Sequence, residues 1–515
     1  MIWLIAKKDF LLNLLSVRFI IGFVLCLVII PFTMIVSVND YQNQMRIYQI
    51  DHAAAEQELK ELQVYSLLRP TVVKKPEVLS MFSKGISTNT GNKVKVSLQE
   101  YPLFPTGHTS SRDNPLLNAF YSLDFSTVIA IVISLLALVF AYDSITRERE
   151  DGTMKLVFTG QVSRISFLMG KLTGILLTLL PILIFCYLLA SLIIVINPDI
   201  SFTASDWTGI LLLFITSIIY MLVFIILGML VSAMTKHSSS SIILCLLCWI
   251  SFLFIIPNAA TYLSQSISRT PLYDNVQTVI NEGLKEYYDK YWDVLMEKGN
   301  EAGVQQFGWW TYDGGNDGYE KLFGGKLEVA KAHQLKNQWS EPYRIDMADK
   351  NWAVQKDYLD KLIHQQQVQQ YLSWLSPSEL FGQATDALCR TDVNAFLKYM
   401  ESQRDYRQTM IRFFTSNDLF GSFLYFTPQP EEAFPTEQEM NDYHEKGIGG
   451  PEKSGNWSMP EKLYINTDNV PRYAYNMTTS ANTFHSALGR LTALLAISIL
   501  LLLGAIVVFM KYDVR

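Results

Sequence analysis

The sequence predicts an α-helical polytopic membrane protein with six transmembrane helices, an N-terminal interfacial helix and two polar inserts on the same side. Three observations carry that prediction. Half of the 515 residues are hydrophobic and 17% are charged, yet the mean hydropathy is only +0.17, so the apolar residues must be concentrated. They fall into six charge-free stretches of about 18 residues or more, each long enough to cross a bilayer core as a helix. Lysine and arginine, finally, are distributed unevenly between the two sets of short connections.

In chain order, Ile2–Val17 sets Trp3, Leu4, Phe10, Leu11, Leu14 and Leu15 against Lys7, Lys8, Asp9 and Asn13. Apolar positions three and four apart predict a helix lying in the membrane interface; the alternative is an extension of the first span. The first span is Phe19–Val38, and its length and the absence of a small-residue cleavage site predict a retained anchor. The first insert, residues 39–124, reads as a small mixed α/β unit. A helical pattern covers Ala53–Leu68, Val72-Val73 and the alternating Lys93–Leu98 read as strands, and Ser87–Asn92 as a turn. Spans two to five are Phe125–Tyr142, Leu172–Pro198, Trp207–Thr235 and a stretch within Ser238–Ser268. The second insert, residues 262–485, reads as mainly helical, with helices at Val276–Lys298 and Ala330–Leu375. Trp309–Gly325 reads as a glycine-rich loop, Gln365–Gln370 as a solvated face, and Pro428–Tyr475 as an extended segment. Leu491–Met510 is the sixth span. The implied units are residues 1–38, 39–124, 125–261, 262–485 and 486–515.

Six spans place both termini on one side, with the Asp143–Lys171 and Lys236–His237 connections. That side carries Lys7, Lys8, Arg18, Arg147, Arg149, Lys155, Arg164, Lys171, Lys236, Lys511 and Arg515, whereas the Asn197–Asp206 loop has no basic residue. The basic side is therefore expected to be cytoplasmic and both inserts extracytoplasmic. Because both ends of the second insert enter spans without a Gly/Ser-rich linker, the inserts are expected to pack together and move with the spans.

Between spans two and three runs Arg147-Glu-Arg-Glu-Asp-Gly-Thr-Met-Lys-Leu156, then Val162-Ser-Arg164 and Gly170-Lys171. Gly152 can take the left-handed conformation of a helix C-terminus and Thr153 can cap the next short helix, about Met154–Val162; Gly170 and Lys171 are expected to begin the third span. A short helix joined rigidly to two spans suits force transfer from a soluble partner. An ordinary connection would have the same spacing.

This segment resembles the signature of ABC-2 type ABC transporter permeases, and Ala6-Lys-Lys-Asp-Phe-Leu with Arg18-Phe19 is similar to the family's N-terminal helix. Further stretches resemble the subgroup of nitrous-oxide-reductase maturation and gliding-motility permeases: Pro76–Gly85, Leu123–Phe125, Leu375–Glu379 and Ala387–Asp392. The sequence departs from the pattern at Gln161, where the family often has proline, and at Arg390, where the subgroup often has glycine. The resemblance implies a coupling helix that docks on a separate ABC ATPase through Arg147, Glu148, Arg149, Glu150, Gly152, Thr153, Leu156, Val162, Ser163 and Arg164. ATP and Mg would be bound by that partner and no cofactor by this chain. It also implies a dimer, with a second copy or a paralogous permease. The family's habit of short helices after span five predicts a bend at Pro257–Ser268 on the outer surface, with Tyr262 near the lipid headgroups.

Other classes lack their signatures. No G-x-x-x-x-G-K-[ST], H-E-x-x-H or G-x-S-x-G occurs, so a phosphate loop, a zinc peptidase motif and a nucleophile elbow are absent. Scattered histidines (His52, His108, His333, His364, His444, His485) leave a copper or zinc site as a minor alternative. Cys245-Leu-Leu-Cys248 has redox-motif spacing, but in a lipid-embedded helix two small apolar residues on one face is the better reading; Cys389 has no evident partner. The charge-free spans lack the relay residues of an ion-coupled carrier, and a net charge of −6 argues against a nucleic-acid partner. The expected function is the permease subunit of an ATP-driven exporter or mechanotransmission complex in the bacterial inner membrane, with both termini cytoplasmic, lipids around it, and a periplasmic or outer-membrane partner possible at the inserts. The alternative is a membrane-anchored receptor or scaffold without a transport cycle.

Overall fold

The computed structural model describes residues 1–87, 90–99, 124–159, 162–301, 311–313, 320–322, 327–428, 445, 464–475 and 480–511. Six of its helices are long and apolar enough to cross a membrane. α1 (Ile2–Leu14) is followed by α2 (Val17–Lys60), α3 (Phe125–Ala141), the short α4 (Thr146–Glu150) and α5 (Thr153–Thr159), then α6 (Arg164–Val195) and α7 (Ala204–Met234). α8 (Ser238–Ile250) continues through a π turn (Ser251–Ile255) into α9 (Ile256–Ile267). After these come α10 (Tyr273–Glu301), α11 (Leu327–Ser373), α12 (Pro377–Cys389), α13 (Val393–Ser416) and α14 (Phe423–Phe426), and last α15 (Ser480–Lys511).

Polar residues at the stretch boundaries set where these helices start. Ser16 accepts from the Phe19 amide, Asp124 from Thr127, and Ser163 from Ser166, while Thr203 and Asp206 form a capping box on α7, satisfying orphan N–H groups. α7 is the hub, packed against α3, α12 and α15. Gly228 lets it approach α3 closely, since a Cβ there would lie 2.6 Å from that of Ala141.

Pro257 has a local consequence that differs from the bend expected over Pro257–Ser268. Residues 256–267 are helical, and the irregularity lies just before them, in the π turn. Proline lacks the N–H for the carbonyl four residues back and clashes with it, so one wider turn absorbs the misfit. The Asn258 side-chain amide then donates to the Phe254 carbonyl at 2.8 Å.

α2 runs unbroken from the first apolar stretch to Lys60, so the first half of the helix expected at Ala53–Leu68 is its continuation, while the second half holds only a 3-10 turn at Tyr65–Leu67. β1 (Thr71–Val73) and β2 (Lys93–Lys95) pair antiparallel with Val72 opposite Val94, and Lys93 and Lys95 reach back to Asp51 and Glu58 on α2. A second pair, β3 (Thr311–Asp313) with β4 (Glu320–Leu322), lies within the expected loop. The remainder of Trp309–Gly325 and most of Pro428–Tyr475 lie outside the described residues. The inserts share a core: Leu59, Leu68, Val72, Val94 and Leu98 pack with Tyr399, Tyr406, Met410 and Phe414. The Arg407 guanidinium donates to the Leu98 carbonyl from Nε at 3.0 Å.

Gln365–Gln370 is not a solvated face. Gln365, Gln366 and Gln369 are buried, and Gln365 donates to the Ser268 carbonyl at 2.7 Å. Glutamine side chains here satisfy the end of α9, where lipid could not.

Candidate functional site

At the end of the bundle that holds α1 and the close of α15, the segment 143–171 is tied to six other elements. α4 follows α3 after one turn. Gly152 then has φ of +69°, the left-handed conformation expected of it, and its amide donates to the Arg149 carbonyl at 3.2 Å. Thr153 does not cap α5 but begins it, and its hydroxyl donates back to the Glu148 carbonyl at 3.3 Å. α5 ends at Thr159, and α6 starts at Arg164, so Gly170 and Lys171 lie nearly two turns inside it.

Several charges of this segment face inward, although Arg147, Glu150 and Asp151 are exposed. Lys171 Nζ is 2.6 Å from Glu148 Oε1 and 3.1 Å from Asp9 Oδ2, and all three side chains are nearly buried. Burial pushes the Asp9 carboxyl above its usual range, with Lys171 opposing. α1 comes this close because α6 carries Gly170 and Gly174; a Cβ on either would lie within 3 Å of Ile5 or Asp9. Arg149 donates to the Thr235 carbonyl at 2.6 Å and to Ala233 at the end of α7. Glu150 accepts from the Ser238 amide at 2.9 Å and from its hydroxyl at 2.6 Å, capping α8. Arg18 pairs with Asp143 at 2.9 Å. Arg164 donates to the Met510 carbonyl at the close of α15, and Ser163 caps α6. Met154 is buried, Val157 and Val162 pack on the bundle core, and Phe158 lies 5.7 Å from Phe167 and 6.2 Å from Phe509 between ring centroids.

What remains outward is a narrow face. Arg147 and Asp151 are exposed on side chains 3.8 Å apart, Gly152 and Thr153 are exposed, and Leu156 is 72% exposed. Of the ten residues singled out in the sequence, Arg147, Gly152, Thr153 and Leu156 form this face together with exposed Ser163. Glu148, Arg149, Glu150 and Arg164 are instead the ties that fix it to the bundle. Leu156 is thus left in the open on a helix whose Met154, Val157 and Phe158 are packed on the bundle.

The profile of the ABC-2 family transporter proteins matches residues 3–514. The chain belongs to the ABC-2 transporter family. No curated protein matches it. The match supports reading the chain as the membrane permease component of an ABC transporter, a multi-pass membrane protein.

Sequence reasoning missed one element of this ABC-2 permease. α12, with Ser376 as cap and Pro377 at its first turn, packs among α3, α7 and α15 although it is too short to span. The Tyr220 hydroxyl donates to the Ala130 carbonyl at 2.9 Å and lies 3.0 Å from Ser378 Oγ, joining three helices. α12 brings Glu379 and Asp386 beside Asp124, and these line a cavity of about 90 Å³ with Ser83, Asn258 and Gln383. Charged residues therefore do reach the bundle, from an element outside the six apolar stretches. The Ser-Pro-Ser-Glu start was the available signal.

Arg390 also acquires a reason. It ends α12 with φ of +61°, the conformation for which glycine is the usual choice. Its guanidinium is buried, 3.3 Å from Glu77 Oε2 and 3.7 Å from Asp206 Oδ1, and Nη2 donates to Ser205 Oγ at 2.9 Å. One side chain thus joins α12 to the first insert and to the cap of α7. Burial raises the Glu77 carboxyl, with Lys74 and Arg390 opposing.

Proposed function

We propose that the chain is the transmembrane permease subunit of an ATP-driven exporter or mechanotransmission complex, and that a separate ABC ATPase docks on the outward face of α4 and α5. The observation that carries this reading is the division within one short segment: Arg147, Asp151 and Leu156 stand exposed, while their neighbours are locked to α1, α6, α7, α8 and α15. A push on that face reaches every helix to which it is tied. ATP and Mg would be held by the partner. The Lys/Arg asymmetry supports cytoplasmic termini in a bacterial inner membrane and inserts on the outer side. Ile20, Ile21, Val24 and Val28 on α2 are exposed, a surface that lipid or a second permease, identical or paralogous, would cover. The stretches at Pro76–Gly85 and Ala387–Asp392 support the nitrous-oxide-reductase maturation and gliding-motility subgroup.

The test is an Arg147→Ala/Leu156→Ala double variant. Both side chains are exposed, so insertion and folding should survive, while the ATP hydrolysis that copurifies with the membrane complex should fall at least about tenfold, the loss of roughly 1.4 kcal/mol of contact. Undiminished ATPase copurification would argue for a different docking surface.

A further inference from the structure

Away from the coupling segment, α10 and α11 run side by side, close enough at Gly283 that a Cβ would lie 3.6 Å from Asn351 Oδ1. Beside that approach, with β2 on the third side, they enclose a cleft of about 370 Å³ open to solvent. Its lining is unusual in kind. Tyr273 and Tyr288 present rings, and Tyr288 is 61% exposed although its neighbour Tyr287 is packed on Tyr343. Around them stand the amides of Gln277, Asn281, Asn351 and Gln355. Gln355 is 7% exposed, and its Oε1 has no hydrogen-bond partner among the described residues. A buried acceptor left without a donor carries a desolvation cost, which a ligand hydroxyl entering the cleft would remove.

The charges narrow the class of ligand. None of the described lining residues is acidic, so the cleft offers a cation no carboxylate to pair with. Its two basic residues are engaged, Lys95 with Glu58 and Arg344 with Glu341 at 3.2 Å, so neither is spare for a phosphate or carboxylate. Apolar lining is limited to a few side chains such as Leu284 and Met347, too little to sheath an acyl chain. What fits is a neutral ligand rich in groups that both donate and accept, with flat apolar faces between them. Side-chain amides are themselves donor and acceptor and match vicinal hydroxyls, and tyrosine rings offer a flat apolar face with a polar tip. We propose that this cleft binds a neutral oligosaccharide chain, with Tyr288 as stacking platform and Gln355 and Asn281 as hydroxyl partners. The site stands apart from the ATPase reading, and either can fail without the other.

The experiment uses the full chain in lipid nanodiscs, free of maltoside and glucoside detergents that would compete. Cellohexaose, chitohexaose and maltohexaose are titrated separately and followed by saturation-transfer NMR and calorimetry, with a capped (Ala-Ser)₃ peptide as the rival class. At least one hexasaccharide should bind saturably. Tyr288→Ala and Gln355→Leu should each weaken it about fivefold to tenfold, the size expected for one ring contact or one hydrogen bond, while Tyr288→Phe should retain most of the affinity. Tyr288 and Asn281 are exposed, so Tyr288→Ala and Asn281→Ala keep the test valid if Gln355→Leu folds poorly. The proposal is overturned if no hexasaccharide binds, if binding is indifferent to both Tyr288→Ala and Asn281→Ala, or if the peptide binds with the same variant sensitivity instead.

Discussion

Replacing Lys171 with methionine removes the buried cation that bridges Asp9 and Glu148, leaving only the exposed Lys8 at 3.8 Å from Glu148, while keeping the length of the side chain. At an effective dielectric of about 20, contacts of this length are each worth about 5–6 kcal/mol of Coulomb energy before desolvation. Desolvation takes back part of that. Breaking a buried ion pair by deleting one partner costs about 3–5 kcal/mol net, because the remaining charge stays buried. Here two carboxylates remain, with side chains only 10% and 13% exposed, and the easiest relief is for α1 to lift from α6. A loss of about 3 kcal/mol raises the lifted population about a hundredfold. Hydrogen exchange read by mass spectrometry should therefore show the α1 amides exchanging about a hundredfold faster in Lys171→Met, with the α7 amides unchanged. The defect should depend on pH with a definite sign. Burial already raises the Asp9 carboxyl, and losing Lys171 raises it further. A carboxyl with a raised folded pKa stabilises when protonated, and that contribution is lost as pH rises through the folded value, so the variant should be worst at high pH and recover as the pH is lowered. A Lys171→Met/Asp9→Asn/Glu148→Gln triple variant, uncharged throughout, should regain most of the protection. Wild-type exchange in the single variant, or a triple variant no better than the single, would refute the idea that this cluster holds α1 down.

Two other substitutions separate backbone from side-chain effects. At Gly152 a Cβ would meet nothing within 4 Å, so Gly152→Val should cost only the left-handed conformation, about 1–2 kcal/mol, leaving the thermal unfolding of the purified permease nearly unchanged while the α5 amides lose exchange protection; a grossly misfolded protein would contradict that. At Arg390, glycine relieves the strained backbone but leaves Glu77 and Asp206 buried without their cation. Arg390→Gly should therefore destabilise by about 2–4 kcal/mol, and Arg390→Ala by about 1 kcal/mol more, with Glu77→Gln repairing part of either. Equal stability of Arg390→Gly and the parent would show that the buried pair contributes nothing.

Six apolar stretches were legible because a span needs nothing beyond its own residues: length and absence of charge. Helix ends were less so. Lys171 ended an uncharged window, yet α6 runs seven residues further toward its cap at Ser163, because a charge with partners on Asp9 and Glu148 need not leave the helix. The same pairing hid the meaning of Glu148, Arg149 and Glu150. Read alone, they are a charged turn awaiting a soluble partner; folded, their acceptors and donors belong to α6, α7 and α8, and the face proposed for the ATPase is left to Arg147, Asp151 and Leu156. α12 escaped notice for a related reason: thirteen residues with a glutamate and an aspartate look like a surface helix until Tyr220 and Phe381 stack at 4.4 Å. The buried glutamines of α11 teach the same lesson, since an uncharged polar run has no sequence mark that separates solvent from a helix end it satisfies.

The central claim, that α5 presents its open face to an ABC ATPase, is tested most directly by placing a photoreactive benzoylphenylalanine at Leu156 and irradiating native membranes. The crosslinked species is then sequenced by mass spectrometry, with Thr208, on the opposite end of α7, as the comparison site. The account predicts one dominant adduct at position 156, with a protein that carries a G-x-x-x-x-G-K-[ST] loop, and none of that protein at position 208. Adducts at position 156 with lipid alone, or the same ATPase captured equally from position 208, would contradict it.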